Sequence, residues 1–389
     1  MVLVVNGGDP AEAGYPSLAA ALAVAETGSI IELRYNGPRE SGPLRLAGRR
    51  LTIRGGDSFQ PVVQFRPDAT ASVEPPQSMI TVASGELELT DLAIEFDVSR
   101  KVPAERWSLV EVSGGAKVLG RRSTFSIHNA SDNGAAYHPN VAVFRTRPAA
   151  GADRVTASPA DAPTLPATIE LTDCCVRGQA ALLRTEAFQS VAFDWNHGFF
   201  ATSEPLVSMA AGAPAPSEND LVKLSLRHLT ALLGNGLLAM TDRQPANRQM
   251  PVAIELSDSI LIGSAGLPLL EQYGETGADP RPKVSFQGNR NFYEGFDLFW
   301  RIQGNGDARP PTLVNFDAWQ THWGENENLP RLNRVAWRQT PPPQSPTHRV
   351  RVSDVAIDPD LPENPVRGAA GNGRDAGADP ARLPEFPSP

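Results

Sequence analysis

Nine short stretches of the chain share one pattern: apolar, any residue, apolar, then a turn former within three positions. They are Ile31-Glu32-Leu33, Leu51-Thr52-Ile53, Leu87-Glu88-Leu89, Lys117-Val118-Leu119, Ile169-Glu170-Leu171, Val191-Ala192-Phe193, Leu224-Ser225-Leu226, Ile254-Glu255-Leu256 and Val284-Ser285-Phe286. The Lys117 copy is imperfect. Counted at the last apolar residue, the steps are 20, 36, 30, 52, 22, 33, 30 and 30 residues. One short alternating strand per step of this size predicts a solenoid, because a single coil cannot bury its apolar face alone and stacking can. The period of two puts the flanking apolar residues of each copy on the inner face and the middle residue in water.

After the strands come Asn36, Gly55-Gly56, Asp91, Asp173, Asn196, Asp258 and Gly288-Asn289. These residue types tolerate left-handed backbone or bond their own main chain, so the chain is expected to turn a corner there. Arg121-Arg122 and Arg227-His228 break the rule. The expected fold is all-β, a right-handed parallel β-helix of about nine or more coils. A length of 389 residues is compatible with one elongated domain, since each coil touches only its neighbours. Residues 17–27 read as a helix capped by Ser17 and ended by Gly28, a plug for the open end of the stack.

The expected organisation is an N-terminal segment and capping helix over 1–28, the β-helix over 29–300, and a cap with an extended Pro/Gly-rich tail over 301–389. Residues 148–166 carry little large apolar content and read as a flexible insertion. The stretches 211–219 and 242–249 read as smaller loops. Aromatic residues crowd 291–300 and 316–323, the latter expected to form a short helix closing the stack.

The net charge of −9 comes with no basic block, which argues against a nucleic-acid partner. The longest apolar run near the start, residues 18–25, is far short of the ~20 residues of a membrane span, and no signal-peptide pattern follows Met1. A cytoplasmic location is therefore expected. Cys174 and Cys175 are adjacent and poorly placed for a disulfide with each other, so they are read as space-filling. The six histidines, at 128, 138, 197, 228, 322 and 348, show no paired spacing for zinc, and neither metal nor cofactor is expected.

The opening, residues 17–56, resembles right-handed parallel β-helix proteins of the pectin-lyase type, in which a capping helix leads into Gly28-Ser29-Ile30-Ile31-Glu32-Leu33 and then Leu51-Thr52-Ile53-Arg54-Gly55. Asn291-Phe292-Tyr293-Glu294-Gly295, the stretch 319–325 and the ending Arg367-Gly368-Ala369-Ala370-Gly371-Asn372-Gly373-Arg374-Asp375-Ala376-Gly377-Ala378-Asp379 look like a module of planctomycete bacteria. There the module commonly follows a serine/threonine protein kinase domain, which implies a kinase-associated role. The chain itself has no phosphate loop after a strand and no His-Arg-Asp catalytic loop.

Two functions follow. The favoured one is a non-catalytic scaffold or binding module for a carbohydrate or a protein partner, with no assigned catalytic residue. The alternative is a polysaccharide lyase or glycoside hydrolase, which needs paired carboxylates or an acidic cluster with a base. Asp91, Asp173 and Asp258 form the acidic ladder for that alternative, although turn formation explains each of them. For the binding module, Trp195, Asn196 and His197 are the candidate ligand residues, since an indole can stack on a sugar ring while Asn and His bond its hydroxyls.

Overall fold

The computed structural model describes residues 1–6, 14–67, 78–103, 106–131, 136–148, 165–186, 189–210, 216, 219–241, 249–273, 281–304, 310–339, 347–358 and 360–387. Most of the expected insertion at 148–166, and most of the loops at 211–219 and 242–249, lie outside these residues. The chain is a parallel β-helix with three faces. Its parallel crossovers take the right-handed sense that strand twist imposes.

The first face stacks eleven strands in parallel: Val2–Val5, Ser29–Leu33, Arg49–Gly55, Gly85–Thr90, Lys117–Arg121, the leading halves of Ala167–Gly178, Val191–Thr202 and Val222–Leu233, then Val252–Ser257, Val284–Asn289 and Glu327–Asn328. The second face runs from Gly37–Ser41 through Pro61–Phe65, Ala93–Asp97, Thr124–His128 and the trailing halves of the three long strands to Ile260–Ile262 and Phe292–Glu294. The third face runs from Leu44–Leu46 to Leu298–Gln303, and Thr312–Val314 closes it as an antiparallel edge.

Register aligns one inward column as Ile31, Ile53, Leu89, Gly120, Leu171, Trp195, Leu226, Leu256 and Gly288. The fourth sequence copy is therefore corrected by one residue. Val118 and Gly120 point inward, while Leu119 faces out between Glu88 and Glu170. A slip of one reverses every side chain of a strand. Glycine at the inward position leaves room for its neighbour, since a Cβ there would lie 2.7 Å from Leu171 Cδ2 and oblige that side chain to shift.

Both ends are plugged. Helix Leu18–Val24, with Ser17 Oγ accepting from Ala20 N–H at 3.2 Å, buries Leu18, Ala21 and Leu22, and Arg49 donates to the terminal carbonyls of Leu22 and Ala25. Helix Phe316–Trp323, capped by Asn315, buries Trp319 against Phe286 and Phe299. From residue 329 the chain turns back as a strap over the outer surface of the second face. There Val335, Val350, Val352, Val355, Val366, Leu383 and Phe386 cover outward-facing Cys175, Phe199, Ala201, Leu232, Ile260, Ile262 and Phe292 in a second apolar cluster.

Candidate functional site

The corner between the first and second faces is a ladder of side chains in left-handed backbone: Asp91, Arg122, Asp173, His197, His228, Asp258 and Arg290, with φ between +43° and +61°. Register stacks them in that order. The acidic residues thus share one edge, interleaved with Arg122, His197, His228 and Arg290, of which Arg122 and His228 are the sequence's rule-breakers. Arg122 clamps Asp91 with Nε–Oδ1 2.6 Å and Nη2–Oδ2 2.7 Å. Asp173 Oδ1 faces His197 Nδ1 at 2.7 Å and accepts from Arg382 Nη2 at 3.1 Å. Asp258 Oδ1 accepts from Arg290 Nε at 2.7 Å and from Gly371 N–H at 3.0 Å. Each carboxylate is engaged by cations or N–H groups. These bonds account for the ladder as a stabilised corner.

Trp195 also needs correcting as a stacking surface. It is 0% exposed, pointing into the stack where Phe193 and Phe200 meet it edge-on at 6.4 and 6.2 Å. A Cβ on Gly198 would come 2.1 Å from its Nε1, so the glycine makes room for the indole. Its even spacing from Phe193 gives it the inward parity. Asn196 is exposed on the first face, and His197 is buried under the strap, its Nε2 accepting from Asp379 N–H. The three residues therefore do not form one ligand surface. Burial likewise pushes the Cys174 thiol up to about 12 and leaves it unreactive.

A different polar surface lies on the outside of the second face, where the strap stops. The outward rows are Gln64 and Arg66, then Glu95 and Asp97, then Thr124, Ser126 and His128, then Arg177. Gln64 Nε2 donates to Glu95 Oε2 at 3.2 Å, and Arg66 Nε lies 3.2 Å from Asp97 Oδ2. Arg177, buried and with its pKa lowered to about 10 by desolvation, donates to Ser126 Oγ at 3.2 Å and to the Val350 carbonyl at 3.0 Å. The wall is His348, whose ring lies 5.5 Å from that of His128 and whose Nδ1 is 3.0 Å from Gln179 Nε2. Burial, with help from Arg177 and Arg66, lowers the His128 pKa against the pull of Glu95 and Asp97.

Thr124 Oγ1 and His128 Nε2 are enclosed and have no hydrogen-bond partner among the described residues. Buried polar atoms are ordinarily paired, so these two are exceptions at the boundary between the strap and this polar surface, hereafter the notch. Among the described residues no group of three His, Cys, Asp or Glu is placed to hold a metal. The surface supplies alternating donors and acceptors, about 4.8 Å apart across coils. Sequence reading passed over it because its members lie about a coil apart in the chain. The usable signal was polar-x-polar on three successive second strands: Gln64-Phe65-Arg66, Glu95-Phe96-Asp97 and Ser126-Ile127-His128.

No protein-family model matches the chain, and no curated protein matches it. Among solved structures it is similar to a pectin methylesterase in complex with a hexasaccharide, at 13% identity over 92% of this chain and 98% of that one, TM-score 0.40. It is also similar to a pectate lyase, at 12% identity over 97% and 96%, TM-score 0.38.

Proposed function

We propose that the protein is a non-catalytic binding module that takes an extended, polyhydroxylated ligand, a glycan, along the outer surface of the second face. The observation that carries this reading is the change in that surface. Where it is apolar the strap covers it, and where it is polar it is left partly open, with Arg66 and Asp97 side chains 51% and 39% exposed. At the boundary Thr124 Oγ1 and His128 Nε2 have no hydrogen-bond partner among the described residues. Planar amides, carboxylates, guanidinium and imidazole are the groups that recognise sugar hydroxyls. In a kinase-associated setting, which the sequence resemblance implies, such a module would present the ligand to its signalling partner.

The test is a glycan array followed by calorimetry of any hit on the parent, Glu95→Gln, Asp97→Asn and Asn196→Ala. Loss of affinity by about tenfold in the first two, with no change in the third, supports the notch. Unchanged affinity in Glu95→Gln and Asp97→Asn removes it. Turnover of the ligand that disappears in either variant would instead favour the hydrolase or lyase alternative.

A further inference from the structure

The end of the chain is fastened to the corner ladder coil by coil. Gly371 N–H donates to Asp258 Oδ1 at 3.0 Å, Gly377 N–H to the Asp258 carbonyl at 2.7 Å, and Ala378 N–H to Thr230 Oγ1 at 3.0 Å. Asp379 N–H donates to His197 Nε2 at 2.8 Å, and Arg382 Nη2 to Asp173 Oδ1 at 3.1 Å. Past these, Cys175 Sγ donates to the Pro384 carbonyl at 3.4 Å, and Phe386 lies 4.0 Å from the Arg177 guanidinium and edge-on to Phe199.

The His197 contact fixes a protonation state. A backbone N–H can only donate, so Nε2 must offer a lone pair and the neutral ring must carry its proton on Nδ1. That nitrogen lies 2.7 Å from Asp173 Oδ1 in a bent contact. A second proton, on Nε2, would set two donors against each other 2.8 Å apart. The side chain is only 7% exposed, so the ring cannot swing into water while the strap is down. The groups around it are Asp173 from the preceding coil, Asp379 and Arg382 from the strap, and Arg227 and His228 from the following coil. Burial and Arg382 disfavour the charged ring, while Asp173 and Asp379 favour it, and the balance falls below the ordinary imidazole value of 6.5.

We propose that the terminal strap, residues 371–386, is an acid-released cover, clasped by His197, over an apolar extension of the second-face surface. Above the ordinary imidazole range the clasp is closed. As pH falls through it, the lifted strap lets His197 take a proton that the docked strap refuses, so docking weakens. Lifting the strap uncovers Cys175, Phe199 and Ile260. The proposal does not depend on what the notch binds.

The experiment is amide hydrogen exchange of the full chain at pH 7.5, 6.5 and 5.5, corrected for the intrinsic exchange rate, in the parent, His197→Asn and His228→Asn. Asparagine keeps the left-handed backbone and an acceptor that does not titrate. Protection of the amides of residues 377–383 should fall severalfold, by up to about tenfold, on acidification in the parent and in His228→Asn, and stay level in His197→Asn. A parent strap that keeps its protection at pH 5.5, or a His197→Asn strap that loses it equally, overturns the proposal. Should His197→Asn not fold, imidazole ¹⁵N shifts of the parent decide. Nε2 must be unprotonated at pH 7.5 and must titrate together with the loss of strap protection, and a proton on Nε2 at pH 7.5 refutes the clasp.

Discussion

Glu327 shows how much one side chain in the C-terminal cap can weigh. It is 4% exposed and accepts only from neutral donors, Tyr293 Oη at 3.3 Å and Trp319 Nε1 at 3.3 Å. Burial first, only partly offset by these hydrogen bonds, raises its carboxyl from 4.5 to about 7. The folded state therefore holds a proton that the unfolded chain has released, and stability is complete below 4.5 and declines as pH rises to about 7. The interval corresponds to about 3 kcal/mol. Denaturant titrations at pH 4.5, 5.5, 6.5 and 7.5 should show Glu327→Gln losing less stability than the parent across that window, and parallel curves would refute the assignment. At the neighbouring scale of packing, Gly198→Ala should destabilise by roughly 1–3 kcal/mol, because its methyl collides with an indole that has nowhere to move. A melting temperature unchanged from the parent would show that Trp195 can repack.

The corner ladder makes an element-level comparison available. Asp91 and Asp258 occupy the same place in their coils and the same left-handed backbone, at φ +54° and +51°. Their surroundings differ. Asp91 meets Arg122 at the surface, with side chains 46% and 53% exposed, a setting in which ion pairs contribute about 0–1 kcal/mol. The Asp258 side chain is 11% exposed and binds both Arg290 and the strap. Replacement by Asn preserves the turn and removes only the charge. Asp91→Asn should cost under about 1 kcal/mol, and Asp258→Asn about 2 kcal/mol, because a charged hydrogen-bonded partner is left enclosed. Equal losses in chemical denaturation would mean that the ladder owes its stability to turn conformation alone.

At the scale of the molecule, eleven parallel strands on the first face, spaced about 4.8 Å, make a stack about 48 Å long. The first face is wet along this length. Its central outward column holds Glu88, Glu170, Asp194 and Glu255, each paired with Arg121, Lys117, Arg227 or Lys223. The second face is wet only on its N-terminal coils. Truncation after Asn328 should therefore leave the stack assembled while exposing the apolar patch around Phe199, Ile260 and Phe292, seen as binding of an environment-sensitive dye and self-association. A truncated protein that stays monodisperse and dark to the dye would show that the patch is covered in another way.

The coil pattern was legible in the sequence because its cause is local. A period of two with turn formers at the ends specifies a strand with one dry face, and repetition specifies a stack. The helix Phe316–Trp323 and the cap at Ser17 were legible for the same reason, since capping depends on neighbours in the chain. Only tertiary structure could decide which polar residues meet. Glu95, His128 and Arg177 come from three successive coils, His348 comes from the strap, and Asp173 is bound by His197 one coil on and by Arg382 from the chain end. Local pattern carries the parity of a strand but not the register between coils. Parity turns Trp195 inward two residues after Phe193, whereas register, set by turns and inserted loops of unequal length, determines that Leu119 points outward between Glu88 and Glu170 and that the strap lies over the corner where the sequence had placed a binding site.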